Sequence, residues 1–185
     1  MEIARTCFLE QGPAISTTVI AEAVGLSQGA LFKRFGSKRA LMLAALLPDM
    51  RPLMAAFERG PDERPLEAQL LELAHEIGAH SRQLFPRMTA LKAAGITVDK
   101  GEEQVRTPIL ATLKALEAWF ERAQQRGLVQ PLGSPGDLAV AFFGAIHTKG
   151  FVSHLAGTER GDLQSFAQDL AAIWARGLAC QGAQR

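Results

Sequence analysis

The stretch STTVIAEAVGLSQGALFKRF, residues 16–35, decides the fold. Its first half sets Ile20, Ala21 and Val24 along one helical face, and Ser16 or Thr17 ahead of them offers the side-chain oxygen that an N-cap needs. Gly25 ends this helix, and Ser27 caps a second one that runs to Phe35. Two short helices about a tight turn make a helix-turn-helix, the arrangement that lays its second helix in a DNA major groove. Each residue type has a reason to be there. Gly25 takes the left-handed backbone of the turn, Ala21 is small enough to let the helices cross closely, and Ile20, Val24, Leu31 and Phe35 pack beneath. At about 100° per residue Leu31 and Phe35 share a face, with Gly29 and Lys33 opposite, so the outer surface is narrow and basic.

Working outward, nearly every other segment repeats its apolar residues with a period near 3.6, and no clean period-2 run and no tyrosine occur, which predicts an all-α fold. Nine helices are expected, over residues 2–11, 17–24, 27–35, 38–59, 66–83, 87–94, 108–127, 137–155 and 162–178. Pro48 and Pro52 should bend or interrupt the fourth, Pro86 should break the chain between the fifth and sixth, and Pro108 should open the seventh after a loop over 95–104. The tail 181–185 reads as disordered. Charge divides the chain as well. Residues 16–47 carry Lys33, Arg34, Lys38 and Arg39 against Glu22 alone, whereas residues 48–185 carry 15 basic and 16 acidic side chains. The expectation is a three-helix DNA-binding domain over 1–47 and a helical bundle for ligand binding and dimerisation over 48–185.

The residues IAEAVGLSQGALFKRFGSKRAL, 20–41, resemble the signature of TetR-family transcriptional regulators, and the resemblance covers about residues 3–47. The remaining body is similar to the family only in helix order. The resemblance implies a homodimer whose two N-terminal domains bind successive major-groove faces of double-stranded DNA. It also implies a small-molecule effector that enters the C-terminal domain and alters binding, as a repressor released from its operator would require. Two departures stand out. Phe32 occupies the place where the family usually has a tyrosine, and it has no hydroxyl for a phosphate; Lys33, Arg34 and Lys38 lie near enough to replace that contact. The chain also begins almost at its first helix, whereas many members carry a basic arm before it.

Within the motif the roles separate. Ser37 and Lys38 start the fourth helix, where amide N–H groups, the positive helix end and the lysine charge attract a phosphate. Thr17 and Thr18 offer hydroxyls for the same purpose, with an N-cap as the plainer role. Gln28 and Lys33 suit the edges of adenine and guanine, and Gly29 and Ala30 permit close approach, with thymine methyl as a contact.

In the body, Phe57, His75, Met88, Leu91, Trp119, Phe120, His147 and Phe151 form an aromatic and methionine-rich set with few charges, suited to a largely apolar effector cavity, although each alone is an ordinary core residue. The fourth helix, if continuous into the body, would carry a ligand-dependent tilt to Lys38. A second stripe, Leu138, Phe142, Ala145, Val152 and Leu155 with Leu163, Phe166, Leu170, Ile173 and Leu178, predicts a four-helix seam between two copies, and hence a palindromic operator. The competing class is an all-α carboxylate metal protein or oxidase of the ferritin-like type, on Glu72 and His75 at i, i+3 spacing. That site needs a second such pair, and neither His80, His147 nor His154 has a glutamate three residues before it. No nucleophile elbow or phosphate-cradling glycine loop occurs, so no enzyme, cofactor or metal is expected. The uninterrupted apolar runs 40–47 and 138–146 fall short of a bilayer span, no secretory leader is evident, and Cys7 and Cys180 lack ligand spacing, which together predict a cytoplasmic protein with both cysteines in the core.

Overall fold

The computed structural model describes residues 1–96, 103–158 and 160–179. Nine helices occupy them: α1 (Glu2–Gln11), α2 (Thr17–Ala23), α3 (Gln28–Phe35), α4 (Lys38–Leu46), α5 (Arg51–Glu58), α6 (Leu66–Ala93), α7 (Glu103–Gln125), α8 (Pro135–Ala156) and α9 (Arg160–Leu178). The only extended pairing among the described residues is an isolated antiparallel bridge between Val129 and Ala179. The fold is all-α.

Two compact units share the chain, Met1–Pro48 with Gln83–Lys100, and Asp49–Arg82 with Gly101–Arg185. In the first unit α1 packs on α2 and α4, while α3 bridges α2 and α4. Phe8, Ile20, Ala21, Leu31, Leu41, Met42 and Leu46 form its core, and Leu91 and Ile96 enter the same core from the end of α6 and just beyond it. Cys7 is a buried free thiol there, as expected; Cys180 lies outside the described residues. In the second unit α7 packs along α5 and α8, and α8 along α9. Its centre is aromatic: Phe120 meets Trp119, Phe142 and Trp174 with ring centroids 5.3, 6.0 and 6.2 Å away.

The interruption expected at Pro48 and Pro52 is found, and the helices differ from the sequence expectation at two other prolines, Pro86 and Pro108. The fourth predicted helix is two helices, because the chain leaves helical geometry at Leu47, before Pro48, and α5 restarts at Arg51 with Pro52 in its first turn, where no N–H is missed. A continuous lever from Lys38 into the body is therefore absent. Pro86, predicted as a break, sits inside an unbroken 28-residue α6. An interior proline costs about 3 kcal/mol or more. Fully buried Leu70, Ala74 and Ile77 before it and Leu91 after it hold both halves of the helix in apolar cores, which outweighs that cost. Helix α7 starts at Glu103 rather than at 108, so position 108 lies in its second turn. Most of the predicted loop 95–104 and the whole tail 181–185 lie outside the described residues.

Candidate nucleic-acid interface

Three serines build the motif. Ser16, Ser27 and Ser37 sit in extended backbone ahead of α2, α3 and α4, and each side-chain oxygen accepts a backbone N–H three residues on, from Val19 at 3.3 Å, Ala30 at 3.1 Å and Ala40 at 3.1 Å. The turn from α2 to α3 closes when Leu26 N–H donates to the Ala21 carbonyl at 2.9 Å, with Gly25 at φ +73°. Gly36, at φ +74°, makes the second sharp reversal, from α3 to α4.

These reversals fix which face of α3 is turned away. Leu31 is its one buried residue and Phe35 is half-buried, whereas Gln28, Gly29, Ala30, Phe32, Lys33 and Arg34 are exposed. The Arg34 guanidinium lies over the Phe35 ring, 5.4 Å from its centroid. A Cβ added at Gly29 would find its nearest neighbour, Ser27 Oγ, 4.0 Å away, so the space outside α3 is open. Ser37 and Thr18 are exposed, and Thr17 and Lys38 half-exposed. Thr17 is not the cap of α2, since Ser16 fills that place; its hydroxyl oxygen instead accepts the Gln28 side-chain N–H at 2.9 Å. The structure thus gathers the sequence-derived set, Thr17, Thr18, Ser27, Gln28, Gly29, Ala30, Phe32, Lys33, Arg34, Ser37 and Lys38, about the N-termini of α2, α3 and α4 and the outer face of α3. Arg39, which the sequence reading left out of that set, is exposed beside Lys38.

Residues 1–45 match the family model described as bacterial regulatory proteins, tetR family. Over those residues the chain is similar to the TetR family of bacterial regulatory proteins. No curated protein matches it significantly. Among solved structures, a TetR transcriptional regulator from Streptomyces coelicolor is 20% identical with a TM-score of 0.65, covering 97% of this chain and 96% of that one. NalD, the secondary repressor of the MexAB-OprM multidrug efflux pump in Pseudomonas aeruginosa, is 22% identical at TM-score 0.62, covering 97% and 93%. The SmeT–triclosan complex is 21% identical at TM-score 0.63, covering 99% and 91%. At these identities the likeness is one of fold. The matched domain and the helix-turn-helix support a DNA-binding transcriptional regulator.

The predicted effector residues are divided between the two units. Met88 and Leu91 pack in the first unit, Phe57, Trp119 and Phe120 are fully buried in the core of the second, and Phe151 is exposed. Burial of apolar side chains is the main driving force of folding, so a run of such residues reads the same in a core as in a pocket. Trp119 does line a cavity of about 310 Å³ with Ala56, Arg59, Arg64, Glu72 and Leu73, and exposed His75 lines another of about 240 Å³ between α6 and α9. His147 is half-buried, its Nδ1 3.1 Å from Ser81 Oγ and its ring stacked on Phe143; burial lowers its pKa. Lys149 pairs with Asp162 at 2.6 Å and holds that carboxyl below its usual range. Glu72, half of the metal pair considered above, is taken up by Arg59 and by Arg64 at 2.8 Å, and among the described residues no three His, Cys, Asp or Glu side chains gather.

The seam residues divide in the same way. Phe142 and Leu163 belong to the core of the second unit, Leu138, Ala145, Phe166 and Leu170 are half-buried, and Ile173 is exposed. Helix α8 is apolar on its other side too. Val140, Ala141, Phe151, Val152 and Leu155 are all exposed along it, and by length and composition alone this helix is apolar enough to cross a bilayer, although its longest uninterrupted apolar run is short. Its inner face, with Phe142 and Ile146, is packed against protein.

Proposed function

We propose that the protein is a homodimeric cytoplasmic repressor that binds a palindromic operator through α3 and leaves it when a small, largely apolar molecule enters the second unit. The observation that carries the DNA-binding half is the outer face of α3, where Gln28, Gly29, Ala30, Lys33 and Arg34 are exposed together beside the capped start of α4. Helix N-termini and lysines position a phosphate backbone, and amide or ammonium groups read base edges. Lys38→Ala should weaken binding to all duplexes alike and lower the salt slope by about one unit. Lys33→Ala should instead lose about 1–3 kcal/mol of discrimination at one base pair. Anisotropy titrations at several salt concentrations separate the two, and an unchanged slope in Lys38→Ala removes that residue from the interface.

The dimer reading rests on α8. A helix of 22 residues with uncharged, exposed Val140, Phe151, Val152 and Leu155 on one side presents a face that a second copy of itself matches. The repressor and effector readings draw support from two proteins of similar fold, NalD, a secondary repressor, and SmeT, solved with triclosan. For the effector, Trp119 is the reporter: in a Trp174→Phe background, a compound that fills the adjoining cavity quenches the remaining fluorescence and lowers operator affinity, by about 5- to 150-fold if the coupling is of ordinary size. Quenching without any change in DNA affinity would show that this cavity is not the switch.

A further inference from the structure

Thr17 opens α2 and Gln28 opens α3, and both are released from capping by the serines that precede them. Their side chains meet at 2.9 Å, with the Gln28 amide N–H donating to the Thr17 hydroxyl oxygen. The geometry points to Thr17 as a specificity-determining residue: we propose that it fixes which way round the Gln28 amide faces the groove, and so makes Gln28 select adenine over guanine.

The argument is a count of donors and acceptors. A threonine hydroxyl has one O–H to give and lone pairs to accept with; a glutamine amide has two N–H groups and one carbonyl. With one Gln28 N–H given to Thr17, what remains is one N–H and the carbonyl. Adenine presents an acceptor at N7 and a donor at N6 in the major groove, and the remaining pair matches both. Were the amide reversed, Thr17 O–H would donate to the Gln28 carbonyl, leaving two N–H groups, which suit the two acceptors of guanine, O6 and N7. The Thr17 hydroxyl therefore chooses between two bases without touching either.

What commits the hydroxyl is its own O–H. Thr17 is half-exposed on the side of the domain that carries Gln28, so its O–H is open to an acceptor on the DNA backbone, and a phosphate oxygen there takes it. A hydroxyl whose proton is given to phosphate has only lone pairs left for Gln28, and the reversed amide loses its partner. Phosphate contact and base choice thereby become one linked event, so that the domain reads adenine only when it is seated in register. This inference rests on Gln28 reading a base edge, which the test examines separately.

The test uses the full chain and the duplex site it selects from a random-sequence pool, together with the single-pair A·T to G·C variant of that site at the position protected by Gln28. The unmodified protein should prefer A·T by about 5- to 150-fold, the discrimination a good bidentate contact supplies. Thr17→Val keeps the shape and removes both hydrogen-bonding functions. It should bring that preference down toward unity, and Thr17→Ser should restore it, an outcome that a merely structural threonine does not produce. If Thr17→Val keeps the full preference while Gln28→Ala abolishes it, Gln28 reads the base unaided and the role given to Thr17 is overturned. If Gln28→Ala leaves the preference intact at every position, Gln28 reads no base, and both ideas fail together.

Discussion

If the proposed dimer forms through α8 and α9, Leu155→Glu combined with Ile173→Glu should turn the protein into a monomer in sedimentation at micromolar concentration and lower its affinity for a palindromic site by about 10²- to 10⁴-fold, the contribution that linking two binding modules makes. Both side chains are mostly exposed in the single chain, at 69% and 60%. Replacing them with carboxylates removes nothing from the core of one chain, and the double variant should melt as a normal folded protein. In a seam of two copies the same substitutions bury four unpaired charges, and desolvating charges without partners costs several kcal/mol each. Sedimentation as a dimer with both glutamates present would move the assembly surface elsewhere. Substitution at Phe142 would be a poor probe of the same question, because that residue is fully buried and its loss damages the fold.

Phe120→Ala should destabilise the protein by about 3–5 kcal/mol in urea unfolding, the range for deleting a buried aromatic side chain. The ring is fully buried and is met by Trp119, Phe142 and Trp174, so the cavity left behind is walled by large side chains that cannot collapse into it. Phe151→Ala, by contrast, removes a ring that is 44% exposed and should shift stability by no more than about 0.5 kcal/mol in the monomeric double variant. The two residues carried the same expectation from sequence, as walls of an effector cavity. A small change in Phe120→Ala would mean that the second unit is loosely packed and that its centre can open.

The contrast between those two phenylalanines shows where sequence stops being informative. The helix-turn-helix was legible because its determinants are local: a serine cap three residues before the amide it satisfies, glycine where φ is positive, one apolar face on each short helix. Chemistry of that kind is written in neighbouring residues. Lys33 and Gly29 could be placed on the outer face by counting residues from Leu31, and the structure exposes both. The body gave no such purchase. Whether Trp119 is core or cavity wall depends on which helices surround α7, and an apolar period is the same in either case. Pro86 misled for a related reason, since a local cost says nothing of the packing on either side that outweighs it. The hydrogen bond between Thr17 and Gln28 joins residues eleven positions apart across a turn, and only coordinates reveal that they touch.

Leu91 and Ile96 close the core that α1 to α4 begin. Anyone wishing to isolate the DNA-reading module as a fragment meets a difficulty here, for the module is not one continuous length of chain. A gene cut after Pro48 would deliver the recognition helix but leave the core around it without Leu91 and Ile96, which belong to the same cluster. A transplantable version has to be stitched, with the segment that begins at Gln83 brought back by a designed linker. Evolution meets the same constraint: exchange of bodies between relatives by recombination at the end of α4 separates halves of a shared core, so such swaps succeed only where the incoming α6 brings its own residues to fill the place of Leu91.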